Sequence, residues 1–288
     1  MPDPYKDNPS TYFVQDRSSK DEMTRLHIQD QMFTASMGGV LPEQANPAIF
    51  QSVLDVGCGT GDWLIEVAKT YPHMSRLVGV DISERMVKYA NKQAAEQQVS
   101  DRVQFQVMDA LRRFEFSDHS FDLVNQRFGV SWLRTWDWPN LLSEYRRITQ
   151  PGGLIRVTEG DMIAESSSPA LLRLFALGLQ ALYQSGHYFT PKSDGIISQL
   201  VPLFNQHGGH SVQKHAYVLE YRAGTPELQS FAEDMHQLFR IGLPFLRKWA
   251  HVPDEYESIY QQMLTEMQQP DFTATLNLLT VWGIKANS

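Results

Sequence analysis

Residues 53–61 read Val-Leu-Asp-Val-Gly-Cys-Gly-Thr-Gly, an apolar run ending in glycine at every second position, and Asp81 closes a second apolar run that starts at Leu77. Glycine has no Cβ, so Gly57, Gly59 and Gly61 permit a tight bend and a close approach of backbone to a ligand. Such a bend opens a helix whose first N–H groups lack partners and face whatever binds there. An acid about 20 positions beyond such glycines is where nucleoside-binding folds hold a ribose diol, because a carboxylate offers two acceptor oxygens. Asp81 stands at that place, with helix capping as its alternative role. Together these residues point to a nucleoside-bearing ligand.

Groups able to move a proton lie further along. Glu159 and Asp161 follow the apolar run Leu154–Thr158, Asn125 and Arg127 end another, and His187 follows a helical pattern. A carboxylate or imidazole beside a reacting atom removes a proton in the transition state. Glu159 and His187 are therefore the candidate general bases, against the plainer readings of an Arg-paired structural acid and an exposed loop histidine. Trp132, Trp136 and Trp138 offer an aromatic wall for a flat substrate, or simply pack a loop onto the core.

The elements that must position these groups alternate regularly from Val53 onward. Leu64, Val67, Ala68 and Tyr71 recur at helical spacing after the glycine turn; Ser83 caps a helix carrying Met86, Val87, Ala90 and Ala94; Val103, Phe105 and Val107 alternate as a strand does. Leu141, Leu142, Tyr145 and Ile148 mark a helix before Pro151-Gly152-Gly153. Strand–helix alternation of this kind gives a parallel sheet wound on both faces, with ligands beyond the carboxyl ends of its strands. Upstream, Lys20–Met37 reads as a helix stopped by Gly38-Gly39, behind a loosely held arm at 1–19. Downstream, helices are expected at 168–185, 193–206, 226–250 (kinked at Pro244) and 254–268, and strands at 212–221 and 273–284. The organisation is thus an N-terminal arm and cap helix over 1–45, then one α/β domain over 46–288 with helical lid or insertion segments at 168–206 and 226–268.

The glycine spacing separates this chain from dinucleotide folds, whose third glycine usually comes one residue later. Asp55-x-Gly57-x-Gly59-x-Gly61 resembles motif I of the class I S-adenosylmethionine (SAM)-dependent methyltransferases, and Leu77-Val-Gly-Val-Asp81-Ile-Ser83 resembles their motif II. Val107-Met-Asp109-Ala110 is similar to their adenine-contacting stretch; Phe121–Val124 and Arg147–Leu154 resemble the fourth strand and the turn into the fifth. The resemblance covers roughly residues 50–160. It implies a Rossmann-like, doubly wound, seven-stranded sheet of order 3-2-1-4-5-7-6 with the last strand antiparallel.

The resemblance also implies roles. Asp55 lies near the SAM ammonium, Gly57, Gly59 and Thr60 lie under its methionine–ribose portion, and Asn125 is beside the cofactor. Ile82 and Met86 pack on the adenine (for Met86 a core role is the alternative), while Asp109 and the Ala110 N–H meet the adenine edge. Arg25-Leu-His-Ile-Gln29 resembles the cap-helix run of methyltransferases of secondary metabolism, making Tyr12, Gln29, Arg127 and Trp132 candidate substrate contacts. Asn125-Gln-Arg-Phe128 lacks both prolines of the Asn-Pro-Pro-Tyr signature of nucleic-acid amino-group methyltransferases. The activity implied is in-line transfer of a methyl group from SAM to an O, N or C atom of a small, specialised metabolite, leaving S-adenosylhomocysteine (SAH). The alternatives are a cyclisation or rearrangement on the same fold, a nucleic-acid or protein methyltransferase, or a noncatalytic SAM-binding protein.

Bulk properties narrow the partners. The 288 residues are 42% hydrophobic and carry a formal charge of −8 without a long Lys/Arg run, which speaks against a nucleic-acid partner. Cys58 is the only cysteine, so no internal disulfide forms, and its place in the glycine turn suits packing. No apolar signal core opens the chain and no apolar stretch is long enough to span a bilayer, so a cytoplasmic monomer or homodimer is expected. His207, His210 and His215 straddle a Gly-Gly turn at spacing that matches no metal site, and no metal is assigned.

Overall fold

The structure, a computed structural model, describes residues 12–14 and 19–286; most of the expected N-terminal arm lies outside the described residues. In chain order the elements are α1 (Lys20–Ser36), β1 (Ser52–Val56), α2 (Asp62–Thr70), β2 (Arg76–Asp81), α3 (Glu84–Glu96), β3 (Val103–Val107), β4 (Phe121–Arg127), α4 (Trp138–Ile148) and β5 (Thr149–Gly160). There follow β6 (Glu165–Ser166), α5 (Pro169–Gln184), α6 (Ile197–Leu203), β7 (His210–Arg222), α7 (Pro226–Ile241), α8 (Leu243–Trp249), α9 (Tyr256–Glu266) and β8 (Thr273–Ile284).

The sheet runs β3-β2-β1-β4-β5-β8, and β7 closes the far edge on β8. Pairing among β1 to β5 is parallel, whereas β8 is antiparallel to both β5 and β7. The short β6 pairs with residues 274–275 of β8, and β5 pairs with residues 278–284. The expected order 3-2-1-4-5-7-6 is therefore present, with one extra short strand. Helices cover both faces, so β1 is buried along its whole length and carries apolar residues on both sides, Val53 and Leu54 facing opposite cores, with Asp55 as its buried carboxylate. Leu54, Val56, Val80 and Val124 join one core, while Val53, Leu77, Leu123 and Leu154 join the core on the opposite face.

β1 lies between β2 and β4, where the strand order reverses, so a crevice opens beyond its carboxyl end. Two helical layers roof that crevice. α1 packs along α7, and α7, α8 and α9 form an excursion between the two strands of the β7–β8 hairpin.

Two expected helices differ in detail. The segment 226–250 is two helices parted at Gly242, and Pro244 starts the second rather than kinking one. A Cβ at Gly242 would stand 2.4 Å from Phe13 Cε1, so the break lets the N-terminal segment pack closely. The helix expected over 193–206 shrinks to α6, because Pro202 supplies no N–H to the ladder and the chain passes into a wider turn at Phe204–Gly208.

Candidate cofactor and substrate site

The bend after β1 uses its glycines differently. Gly57, Gly59 and Gly61 have φ of +69°, +52° and +81°. A Cβ at Gly61 would stand 2.6 Å from Phe105 Cζ and 2.8 Å from Ala90 Cβ, so Gly61 permits close packing of turn, helix and strand. A Cβ at Gly57 would meet the Trp132 indole at 3.1 Å, whereas at Gly59 nothing lies closer than Leu26 at 3.6 Å. The N–H groups of Gly57 and Cys58 donate to Val80 O, tying the bend to β2. Gly59 N donates to Asp81 Oδ2 at 3.1 Å and Ser83 N to Asp81 Oδ1 at 2.8 Å, which fixes the Asp81 carboxylate beside the bend. Ser83 also caps α3 by accepting from Met86 N.

A cavity of about 330 Å³ opens over this bend and continues inward. Its outer half is walled by Asp55, Gly57, Gly59, Thr60, Asp81, Ile82, Met86, Asp109 and Ala110; its inner half is walled by aromatic and aliphatic side chains of α1, α5, α7 and β8. Asp55 is buried at the floor. It accepts from Asn125 Nδ2 at 2.8 Å, Asn125 Oδ1 accepts from Arg156 Nη1 at 2.7 Å, and Arg156 Nε donates to Glu43 Oε1 at 2.7 Å. Burial pushes the Asp55 carboxyl up to about 7, against the pull of the Asn125 bond and the Arg156 charge. Asp109 accepts from Leu111 N at 2.9 Å and pairs with Arg112 at 3.2 Å.

These residues fit an adenosyl ligand. The carboxylates of the outer wall supply acceptors of the kind a ribose diol, an exocyclic amine and an ammonium require, and a side-chain-free bend leaves room for the backbone to approach. Thr60 donates to Asp62 Oδ2 at 2.6 Å and lines the same wall.

The roof adds a buried ionic cluster that sequence reading did not assemble. Arg25 donates through Nε and Nη2 to both oxygens of Glu22, at 2.7 and 2.9 Å, and through Nη1 to Asp234 at 3.0 Å. Gln29 Nε2 donates to Asp234 Oδ2 at 3.2 Å, and Tyr12 OH to Glu22 Oε1 at 2.6 Å. Glu22 and Asp234 are wholly buried. Burial raises the Asp234 carboxyl, with Arg25 pulling it down. The signal existed: Asp234 interrupts the apolar face Phe231, Met235, Leu238, and Arg25 and Gln29 stand one helical turn apart.

Arg127 at the end of β4 lines the cavity, pairs with Asp30 and donates to Thr34 Oγ1 at 3.1 Å, joining the sheet to α1. Burial pushes its guanidinium down to about 9. Tyr12, Gln29 and Trp132 also line the cavity; Trp136 lies on the surface and Trp138 is core. Asn125 does not line it and reaches the ligand space only through Asp55.

The two candidate bases stand elsewhere. Glu159 is fully buried and outside the cavity lining. Its oxygens accept from Gly129 N at 2.7 Å, Val130 N at 3.3 Å and Gln126 Nε2 at 3.2 Å, so it holds the turn after β4. Burial raises it to about 8. His187 is buried beside Phe245, with Nδ1 2.8 Å from Ser185 Oγ, and does not line the cavity either. Residues at a strand end need not point into the crevice, and β5 turns Glu159 inward while Asp161, two residues on, lines the cavity.

Residues 53–153 match the family model of the methyltransferase domain. A demethylmenaquinone methyltransferase of Lactiplantibacillus plantarum is 32% identical over 168 residues, 58% of this chain and 61% of the relative. The 27-O-demethylrifamycin SV methyltransferase of Amycolatopsis mediterranei is 27% identical over 256 residues, 89% of this chain and 79% of that one. Phosphoethanolamine N-methyltransferase 2 of Haemonchus contortus, solved with SAH, shares the fold at a TM-score of 0.56 and 18% identity, over 96% of this chain and 60% of its own. The alignment with the first relative thus spans less than two thirds of that relative's length. Residues 53–153 are thus a methyltransferase domain, and the strand order and the bend on β1 are those of the class I SAM-dependent methyltransferase fold.

Proposed function

We propose that this chain transfers a methyl group from SAM to a small, specialised metabolite enclosed beneath α1 and α7. The observation that carries the reading is a single cavity running from the Gly57–Gly61 bend and Asp81 into an apolar interior. When bound, SAM supplies an electrophilic methyl group on a sulfonium. Asp81 accepts the ribose hydroxyls, Ile82 and Met86 pack on the adenine, Asp109 and the Ala110 N–H meet its edge, and Asp55 faces the ammonium. Gly57, Gly59 and Thr60 form the surface beneath. The apolar inner wall excludes water and holds the accepting atom in line, and positioning of this kind is worth on the order of 7–11 kcal/mol at most.

The rifamycin relative, covered over most of its length, supports a specialised metabolite over a nucleic acid. The charge of −8 supports the same choice. Among the described residues no helix is long and apolar enough to cross a membrane.

Calorimetric titration with SAM and SAH tests the cofactor half. Binding in the micromolar range is expected, and its absence in folded protein overturns the reading. A metabolite panel incubated with SAM tests the reaction: a product one methyl group heavier, formed with SAH, is expected. A product of unchanged mass identifies the enzyme as a cyclase or isomerase instead.

A further inference from the structure

The cavity has a charge pattern that restricts its occupant. Among the described residues it is lined by seven aspartates and two arginines, with no lysine or histidine. Both arginines are engaged, Arg25 with Glu22 and Asp234, and Arg127 with Asp30. A phosphate, sulfate or carboxylate entering the inner half would lose its water beside acids and find each cation already paired. The wall around it is rich in rings and thioethers, including Phe33, Phe128, Phe175, Phe231, Phe239 and Met162, which suits a flat, neutral molecule.

One spot in that wall is polar. Asp161 stands just past β5, its Oδ1 accepting from Asn277 N at 2.9 Å and its Oδ2 from Asn277 Nδ2 at 2.7 Å. Two bonds from one β8 residue fix the plane of the carboxylate, and each oxygen keeps a further acceptor site. Burial, with Asp194 nearby, holds the Asp161 carboxyl above the usual carboxylate range, closer to the pH at which a base works best. Tyr188 lines the cavity too. It is 2% exposed, and its hydroxyl has no hydrogen-bond partner among the described residues. Burial and the Asp161 charge push that phenol upward, so it stays a donor. A buried hydroxyl left alone forfeits the hydrogen bond it had in water, and an oxygen on the occupant would restore it.

Building on the methyl-transfer reading, we propose that the substrate is a neutral, ring-bearing, hydroxylated molecule without phosphate, sulfate or carboxylate, that Asp161 takes the proton of its accepting hydroxyl, and that Tyr188 donates to a second oxygen. As the oxygen–carbon bond forms, the carbon–sulfur bond breaks with its electron pair going to sulfur, and the hydroxyl proton passes to Asp161. A sulfonium and a carboxylate become a neutral thioether and a neutral acid, and the acid later returns its proton to water.

The test uses protein saturated with SAH and two coloured probes, 4-nitrophenol near its own pKa and 4-nitrophenyl phosphate. 4-Nitrophenol should bind at about 1 mM or tighter and the phosphate at least about 10-fold more weakly. Because a fixed carboxylate accepts from a phenol and repels a phenolate, the phenolate absorbance should fall on binding. In D161N, checked for folding by its SAH heat, that fall should vanish and the phosphate should gain at least about 5-fold in affinity. Y188F, which leaves the carboxylate untouched, should keep the bleaching and bind 4-nitrophenol more weakly. Equal or tighter binding of the phosphate, an unchanged or rising phenolate band, or no binding of 4-nitrophenol overturns the assignment. Any of these with SAH bound leaves methyl transfer standing, whereas loss of SAH binding in the wild type removes methyl transfer itself.

Discussion

Asp55 and Glu159 are two buried carboxyls with opposite tasks. Below about 7 the Asp55 carboxyl is protonated, and a ligand ammonium favours its ionised form, so binding releases a proton. SAH affinity should therefore rise between pH 5.5 and about 7, and weaken only at higher pH, once the ligand ammonium loses its proton. Calorimetry across that range should show the acid limb, and Asp55→Asn should lack it. Glu159 affects stability. Its folded pKa of about 8 exceeds the ordinary carboxyl value of 4.5, so its contribution is full below about 4.5 and is lost as pH rises through about 8. The advantage of wild type over Glu159→Gln should shrink from pH 5 to pH 8 by on the order of 3 kcal/mol, read from urea unfolding. A constant difference would place the ionisation elsewhere.

The same two residues show what sequence discloses at this scale. Asp81, Asp109 and the glycines were legible because backbone geometry dictates their types: a left-handed bend wants glycine, and a strand tip wants an acceptor. Glu159 and Asp161 are two residues apart and would share one face of a continuing strand; the end of β5 at Gly160 separates them, with Glu159 bonded under the turn after β4 and Asp161 on the cavity wall, and spacing alone does not locate that end.

At the scale of elements, the roof depends on one contact between helices. Asp234 of α7 receives Arg25 and Gln29 of α1, and Leu26 of α1 stands over Gly59. Asp234→Ala leaves a guanidinium half-paired in the core, with a cost of about 3–5 kcal/mol. A double-mutant cycle with Arg25→Met should show strong coupling, and SAH should bind at least about 10-fold more weakly, because α1 covers the cofactor half. Helices α1, α5 and α9 were readable to within a residue or two from apolar spacing, since each buries one face. The split between α7 and α8 was not. Gly242 is required by the approach of Phe13, a partner 229 positions away in the chain, and local pattern carries no trace of such a contact.

For the whole molecule, the parallel half of the sheet carries the bend and the acidic outer wall of the cavity, and the later elements complete the enclosure. A ligand bound only by the folded state at 100 times its Kd adds about 2.7 kcal/mol, so SAH should raise the melting temperature by several degrees in scanning fluorimetry. Hydrogen exchange should slow most in α1 and the bend, which SAH would cover, and least in β7 on the far edge.

β7 and β8 pair along their full length on either side of the helices they enclose. Such an excursion leaves and re-joins the fold at neighbouring points, so its length and content can change without disturbing strand register. Substrate choice can therefore evolve as a cassette. Exchange of residues 223–272 with those of a relative, with Asp234 kept so that α1 stays anchored, should move selectivity between scaffolds while leaving the nucleoside grip as it was.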